Sequence, residues 1–95
     1  MTGTPVKKAR LKLRLYVAGK AANSLQAIAN VRAICDEHFD SEQVEIVDLL
    51  DFPARGVVDG IVVTPTLIRL FPRPVQKIIG NLSDTTKVIL ALSFK

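Results

Sequence analysis

Apolar and polar residues alternate from Lys8 to Val17. Ala9, Leu11, Leu13, Leu15 and Val17 fall on one side, and Lys8, Arg10, Lys12 and Arg14 on the other. A period of two with one wet face predicts a β-strand, and the apolar end Tyr16-Val17 fits a more central position in a sheet. Ala18-Gly19-Lys20 then turns the chain. The period changes to that of a helix, with Leu25, Ile28, Val31, Arg32 and Cys35 on one face and Asn23 or Ser24 as the capping residue. This helix is expected to end near His38-Phe39-Asp40. Residues 44–50, VEIVDLL, predict a second strand. A strand, about a dozen helical residues and a strand make a parallel, right-handed βαβ unit.

The second half is less uniform. Asp51 as a cap with Pro53 in the first turn predicts a short helix, weakened by Gly56, Val57 and Val58. Residues 66–71, TLIRLF, predict a third strand. Pro65 stands at its entrance, where a residue that cannot donate to a ladder is tolerated. The Thr64–Pro65 bond there is a candidate for the cis form.

Two periods fit the last third. The segment PRPVQKIIGNL reads as a strand after a proline turn, or as a short helix with Gly80 just past its end. In residues 83–95, Ser83-Asp84 opens a helix with Val88, Ile89 and Leu92 on one face. Yet Val88, Leu90, Leu92 and Phe94 also alternate as a strand would.

Composition places the chain among ordinary globular domains: 95 residues, 48% hydrophobic and 23% charged, enough for one domain over residues 1–95 with a modest core. Residues 1–8 read as a flexible start. No apolar run is long enough to span a bilayer, and no secretory leader is evident, so a cytoplasmic protein is expected. A single cysteine excludes an internal disulfide. The net charge of +4 is unevenly spread. Residues 1–20 are purely basic, residues 36–59 are strongly acidic, and residues 60–95 are basic again. Such a dipolar chain suits docking on a charged protein partner. With few aromatics and no stacking motif, nucleic acid is not the expected partner.

No catalytic constellation emerges. His38 lies where a histidine meets the last carbonyls of a helix. Cys35 occupies an apolar helix face, the setting of a buried structural thiol. The glycines form no phosphate loop, and no metal or cofactor is implied. Pro65 at a strand entrance resembles the thioredoxin fold, whose redox members carry Cys-x-x-Cys at the start of the first helix. This chain has Lys20-Ala21-Ala22-Asn23-Ser24 there, and without a paired thiol, dithiol exchange cannot run.

Four segments together resemble the KaiB family of circadian-clock proteins: LYVAG (Leu15 to Gly19), Asn23-Ser24, VTPTLIRLFPRPV (Val63 to Val75) and KIIGNLSDTTKVIL (Lys77 to Leu90). The resemblance covers about residues 10–93. It implies a non-catalytic protein that binds the RecA-like ATPase KaiC, helps sequester KaiA, and displaces a histidine kinase with a KaiB-like sensor domain. It also implies two folds. One is thioredoxin-like, βαβαββα, with residues 75–80 as a strand and residues 84–94 as a helix. The other, βαββααβ, is a tetramer, with residues 51–95 as the switching half. Packings that coexist differ by only a few kcal/mol, and ambivalent local patterns keep such a gap small.

Departures from the family set further expectations. Ala91 stands where the family often has glycine and Ser93 where it often has aspartate. Alanine gains about 1 kcal/mol over glycine inside a helix, and losing an acid near a helix C-terminus removes an unfavourable dipole contact. The thioredoxin-like state, as a monomer or weak dimer, is therefore expected to dominate, with Pro65, Gly80, Ala91 and Ser93 as the fold-determining positions. Gly60 replaces a family lysine. Partner contacts are expected at Arg69, Lys77, Gln43 and Glu45, although Glu45 replaces a lysine and disfavours an acidic partner such as KaiA there. Two other readings are a redox protein using Cys35 alone and a stand-alone sensor domain that engages a histidine kinase.

Overall fold

A computed structural model describes residues 11–39 and 42–93. Its elements run β1 (Leu11–Val17), α1 (Ala22–His38), β2 (Glu42–Asp48), α2 (Pro53–Val58), β3 (Thr66–Phe71), β4 (Gln76–Ile79) and α3 (Thr85–Ser93). The strands form one sheet in the order β2-β1-β3-β4. β1 pairs with β2 in parallel, with Leu15 beside Ile46. β3 lies antiparallel to both β1 and β4. This is the βαβαββα order of the thioredoxin-like fold. The two-period segments resolve as a strand over Gln76–Ile79 and a helix over Thr85–Ser93. The expectation of a flexible stretch over residues 1–8, and those resting on Phe94 and Lys95, lie outside the described residues.

The alternation of β1 decides how the sheet is covered. Leu11, Leu13, Leu15 and Val17 join Ala27, Val31, Ile34 and Cys35 of α1, Leu67 and Ile78 of the sheet, and Val88 and Leu92 of α3 in the main core. Both long helices therefore lie on one face. The other face holds a smaller cluster of Tyr16, Val47 and Ile68, against which Leu49, Ile61 and Leu70 pack.

Several local readings are corrected. α1 starts at Ala22 with Ala21 as its cap, and no side chain bonds the free amides there. Ser24 is buried, and its hydroxyl accepts the Ala18 amide at 3.1 Å, tying the β1–α1 turn to the helix instead of capping it. The buried face runs through Ser24, Ala27, Val31, Ile34 and Cys35, and Leu25 is half exposed. Each residue turns a helix by 100°, so placing the face one position away sends Leu25 outward. β2 ends at Asp48, not at residue 50, because the Asp48 carboxylate accepts the amides of Gly19 and Leu50, both at 2.9 Å. That acceptor turns the chain away from the ladder and joins the two loops that follow β1 and β2. α2 opens with Phe52 as its cap and Pro53 in its first turn, so Asp51 is not the cap.

Of the four positions expected to determine the fold, Pro65 and Gly80 are bonded to each other. The Thr64–Pro65 bond is cis, as are Phe71–Pro72 and Arg73–Pro74. The Pro65 carbonyl accepts the Gly80 amide at 2.9 Å, joining the start of β3 to the end of β4. Gly80 has φ +118°, a conformation open to glycine and strained for other residues. Ser93 donates its hydroxyl to the Ile89 carbonyl at 2.6 Å within α3.

Arg69 corrects an expectation about the surface. Its side chain is completely buried on the α1/α3 side of β3. Its guanidinium donates to the carbonyls of Ala91 (2.9 Å), Leu92 (3.1 Å) and Pro74 (2.8 Å). The last carbonyls of a helix have no partner inside it and carry its partial negative charge, so a cation is stabilising there. In this fold Arg69 clamps α3 and the β3–β4 turn to the sheet and is not exposed to a partner.

Candidate docking surface

The parallel register of β1 and β2 places Glu45 beside Arg14. The antiparallel pairings continue that row through Ile68 to Lys77. Glu45 and Lys77, from opposite edges of the sheet, thus share the face that carries α2. Gln43 pairs with Lys12 in the ladder, and its side chain lies outside the described residues. Arg69 points to the opposite face. Two of the four expected contact residues therefore come together on one surface.

Around them a charged frame spans four elements. Arg14 bonds Glu45 through Nε at 2.8 Å and Asp59 through Nη1 at 3.0 Å. Arg55 of α2 bonds the second Glu45 oxygen at 2.8 Å. The Tyr16 hydroxyl donates to the Asp59 carboxylate and lies 3.2 Å from the Arg55 carbonyl. Lys77 donates to the Asp59 carbonyl at 2.8 Å. Arg14, Tyr16, Arg55, Val58 and Asp59 line a shallow pocket between β1 and α2.

These contacts move protonation in the directions expected of ion pairs. Hydrogen bonds from Arg55 and then Arg14 hold the Glu45 carboxyl down at about 2. Asp59 is lowered chiefly by the Tyr16 hydroxyl, with Arg14 adding to it against burial. The Tyr16 phenol is pushed up, first by burial and then by its bond to Asp59. Arg14 is raised, mainly by its bond to Glu45. All these groups keep their ordinary charge at neutral pH. The frame therefore holds parts in place.

Several apolar side chains near the frame are exposed, beside four in other parts of the described chain, Leu25, Phe71, Val75 and Leu90. Val57 (80%), Val58 (83%) and Val62 (91%) are far more exposed than any core residue, and Leu50, Phe52, Val63 and Ile79 are also exposed. Six of these seven side chains fall within residues 50–63. The seventh, Ile79, ends β4 beside Thr66, the first residue of β3. Single exposed apolar residues are ordinary, but a concentration of them marks an interaction surface. Cys35 is buried in the core at 1% exposure and lies in the last turn of α1, away from the helix start where the redox motif of this fold stands. Among the described residues no three His, Cys, Asp or Glu side chains gather as metal ligands, and no helix is long and apolar enough to cross a membrane.

Residues 14–94 match the family model described as the KaiB domain. The chain belongs to the KaiB family. It is 50% identical over 84 residues to the circadian clock protein KaiB3 of Synechocystis sp., covering 87% of this chain and 82% of that protein. It is 40% identical over 90 residues to the circadian clock oscillator protein KaiB of Trichodesmium erythraeum, covering 94% and 86%. Among solved structures, the N-terminal domain of SasA from Synechococcus elongatus superposes with a TM-score of 0.70 at 24% identity, covering 95% of this chain and 89% of that one. That likeness bears on the fold alone, and it agrees with the thioredoxin-like arrangement of a KaiB-family chain.

Sequence reasoning missed Asp59, Tyr16 and Arg55. A signal for Tyr16 was present, since it shares parity with Arg14 and so belongs on the wet face of β1. Nothing in the pattern indicated that Asp59, beyond the end of α2, folds back onto that strand.

Proposed function

We propose that this KaiB-family chain is a non-catalytic docking protein whose α2 face binds a KaiC-type RecA-like ATPase. In that role it competes with a histidine-kinase sensor domain of the same fold and regulates a circadian rhythm or a related timing or stress pathway. The observation that carries the reading is the concentration of exposed apolar side chains on α2 and its flanking loops, above a charged frame that leaves them uncovered. The thioredoxin-like likeness to the SasA N-terminal domain supports the competition, because two chains of one fold can present one surface. Glu45 stands where the family often has a lysine and engages Arg14 and Arg55, so β2 offers an acidic KaiA-type partner no free cation at that position, and such a partner is secondary. The chain works as a cytoplasmic single domain, without a cofactor and as a monomer or weak dimer. Residues 51–95 retain the βαββααβ packing as a minor alternative, with Pro65, Gly80, Ala91 and Ser93 setting the balance. Extended backbone chemical shifts over 88–94 with helical ones over 75–80 would contradict that balance.

The direct test is size exclusion of the chain with a KaiC-type ATPase and nucleotide, beside Val58→Asp. Wild type is expected to co-elute and the variant to elute alone with unchanged circular dichroism. Absence of co-elution for wild type, or equal binding by the variant, overturns the proposal.

A further inference from the structure

α2 should not hold its shape unaided. It has six residues, too few for a helix to persist alone. Gly56 in its interior and the β-branched Val57 and Val58 lower its propensity further. Packing does not compensate in the usual way, because an amphipathic helix turns its apolar side inward and here the valines point out. Gly56 is the buried residue of α2, where an added Cβ would stand 2.9 Å from Leu49 Cδ2.

Apart from the Leu49 side chain against Gly56, what holds α2 is largely polar: Arg55 within the helix bonds Glu45, and the other bonds converge on Asp59, which follows the helix. An acid at a helix C-terminus is unfavourable by itself. Here its carboxylate accepts from Arg14 and from the buried Tyr16, and its carbonyl accepts from Lys77. Three elements, β1, α2 and β4, are thereby fixed to one residue. Asp59 is mostly covered, with 23% side-chain exposure, and lies behind the apolar residues.

We propose that Asp59 is a positioning residue for partner docking: its carboxylate fixes the pose of α2, and so the presentation of Val57 and Val58, without itself forming the contact. The inference rests on the docking reading above. The substitutions that test it are Asp59→Asn, which keeps the size and removes the charge, and Tyr16→Phe, which removes one hydroxyl. Two quantities are read for each: amide hydrogen exchange along the chain, and affinity for the KaiC-type ATPase. Asn is expected to speed exchange over residues 55–60 at least tenfold, leave α1 unchanged, and weaken binding at least tenfold. Phe is expected to move both quantities the same way by less. Raising NaCl to about 0.5 M should loosen α2 in wild type and loosen the Asn variant further by less, because there only the Glu45 pairs with Arg14 and Arg55 remain to be screened. A general loss of packing would not show that salt dependence.

Unchanged exchange over residues 55–60, or loosened exchange with wild-type affinity, overturns the inference. If wild type itself does not bind the ATPase while Asn still loosens α2, the docking reading fails and the control of the α2 pose by Asp59 stands. If Asp59→Asn does not fold, Tyr16→Phe decides by the same two readouts.

Discussion

The two faces of the sheet are closed by opposite means. On one, α1 and α3 bury Leu11, Leu13, Leu15 and Val17 in a continuous apolar core. On the other, α2 is held by Arg14, Glu45, Arg55, Asp59, Tyr16 and Lys77, and its own apolar side chains are left outside. Apolar burial is non-directional and strong, so the first face supplies most of the stability. Charge pairs at a surface contribute little net energy but fix geometry. The second face is therefore suited to presenting a surface, and the division of labour suits a binding protein built on a thioredoxin-like scaffold.

The comparison can be broken first at Arg69, the one charged side chain among the described residues that is buried on the apolar face. Replacing it with Met removes the donor from the buried Leu92 carbonyl and the partly buried carbonyls of Ala91 and Pro74, and a buried carbonyl left unpaired costs on the order of 1–3 kcal/mol. Arg69→Met is expected to lower unfolding stability by about 4 kcal/mol in urea titrations, with α3 losing exchange protection first. A loss below about 1 kcal/mol would show that the clamp is incidental. Leu15→Ala, at the centre of β1, is expected to cost about 3 kcal/mol by the same titration, from lost burial and the cavity left behind.

The α2 face should respond differently. Val58→Ala removes an exposed side chain and is expected to change stability by less than about 0.5 kcal/mol while weakening partner binding. A large stability change would mean that Val58 is packed and unavailable. Acid should affect this face by a small amount. Glu45 and Asp59 are both more acidic in the folded chain than unfolded, where their values are 4.5 and 3.8. Their contribution is complete above those values and is lost as pH falls, toward about 2 for Glu45. With Glu45 half exposed, its share is expected to stay below about 1 kcal/mol. Comparing urea midpoints of wild type and Glu45→Gln between pH 6 and 2.5 checks the sign: the gap should close as pH falls. A gap that widens in acid contradicts the ion-pair account.

The apolar face was largely legible in the sequence, because its signal is local. Alternation in β1 gave the buried strand face correctly, and the run TLIRLF gave β3 with its bounds. α1 was placed, but its buried face was assigned one position off at Leu25, since Ser24 bonds the preceding turn instead of capping. The second face was not legible. Glu45 and Lys77 read as isolated surface charges until the register brought Arg14 and Asp59 to them. Arg69 read as a surface charge for a related reason: a basic residue in an apolar strand gives no sign that a helix end, more than twenty residues on, will supply carbonyls to it. The last third carried two periods at once, and periodicity alone could not choose between them. In the structure the strand and helix of the last third are held by tertiary contacts that include the Arg69 clamp, the bond from the Gly80 amide to the Pro65 carbonyl, and the bonds of Asn81 to α1.

The most direct test of this division is amide chemical-shift mapping of the chain against a KaiC-type ATPase with nucleotide. The account predicts shifts and broadening concentrated in residues 50–63 and at Ile79, with the exposed side of α1 and the whole of α3 unaffected. Perturbation confined to α1 or α3, with α2 and its flanking loops unchanged, would contradict it.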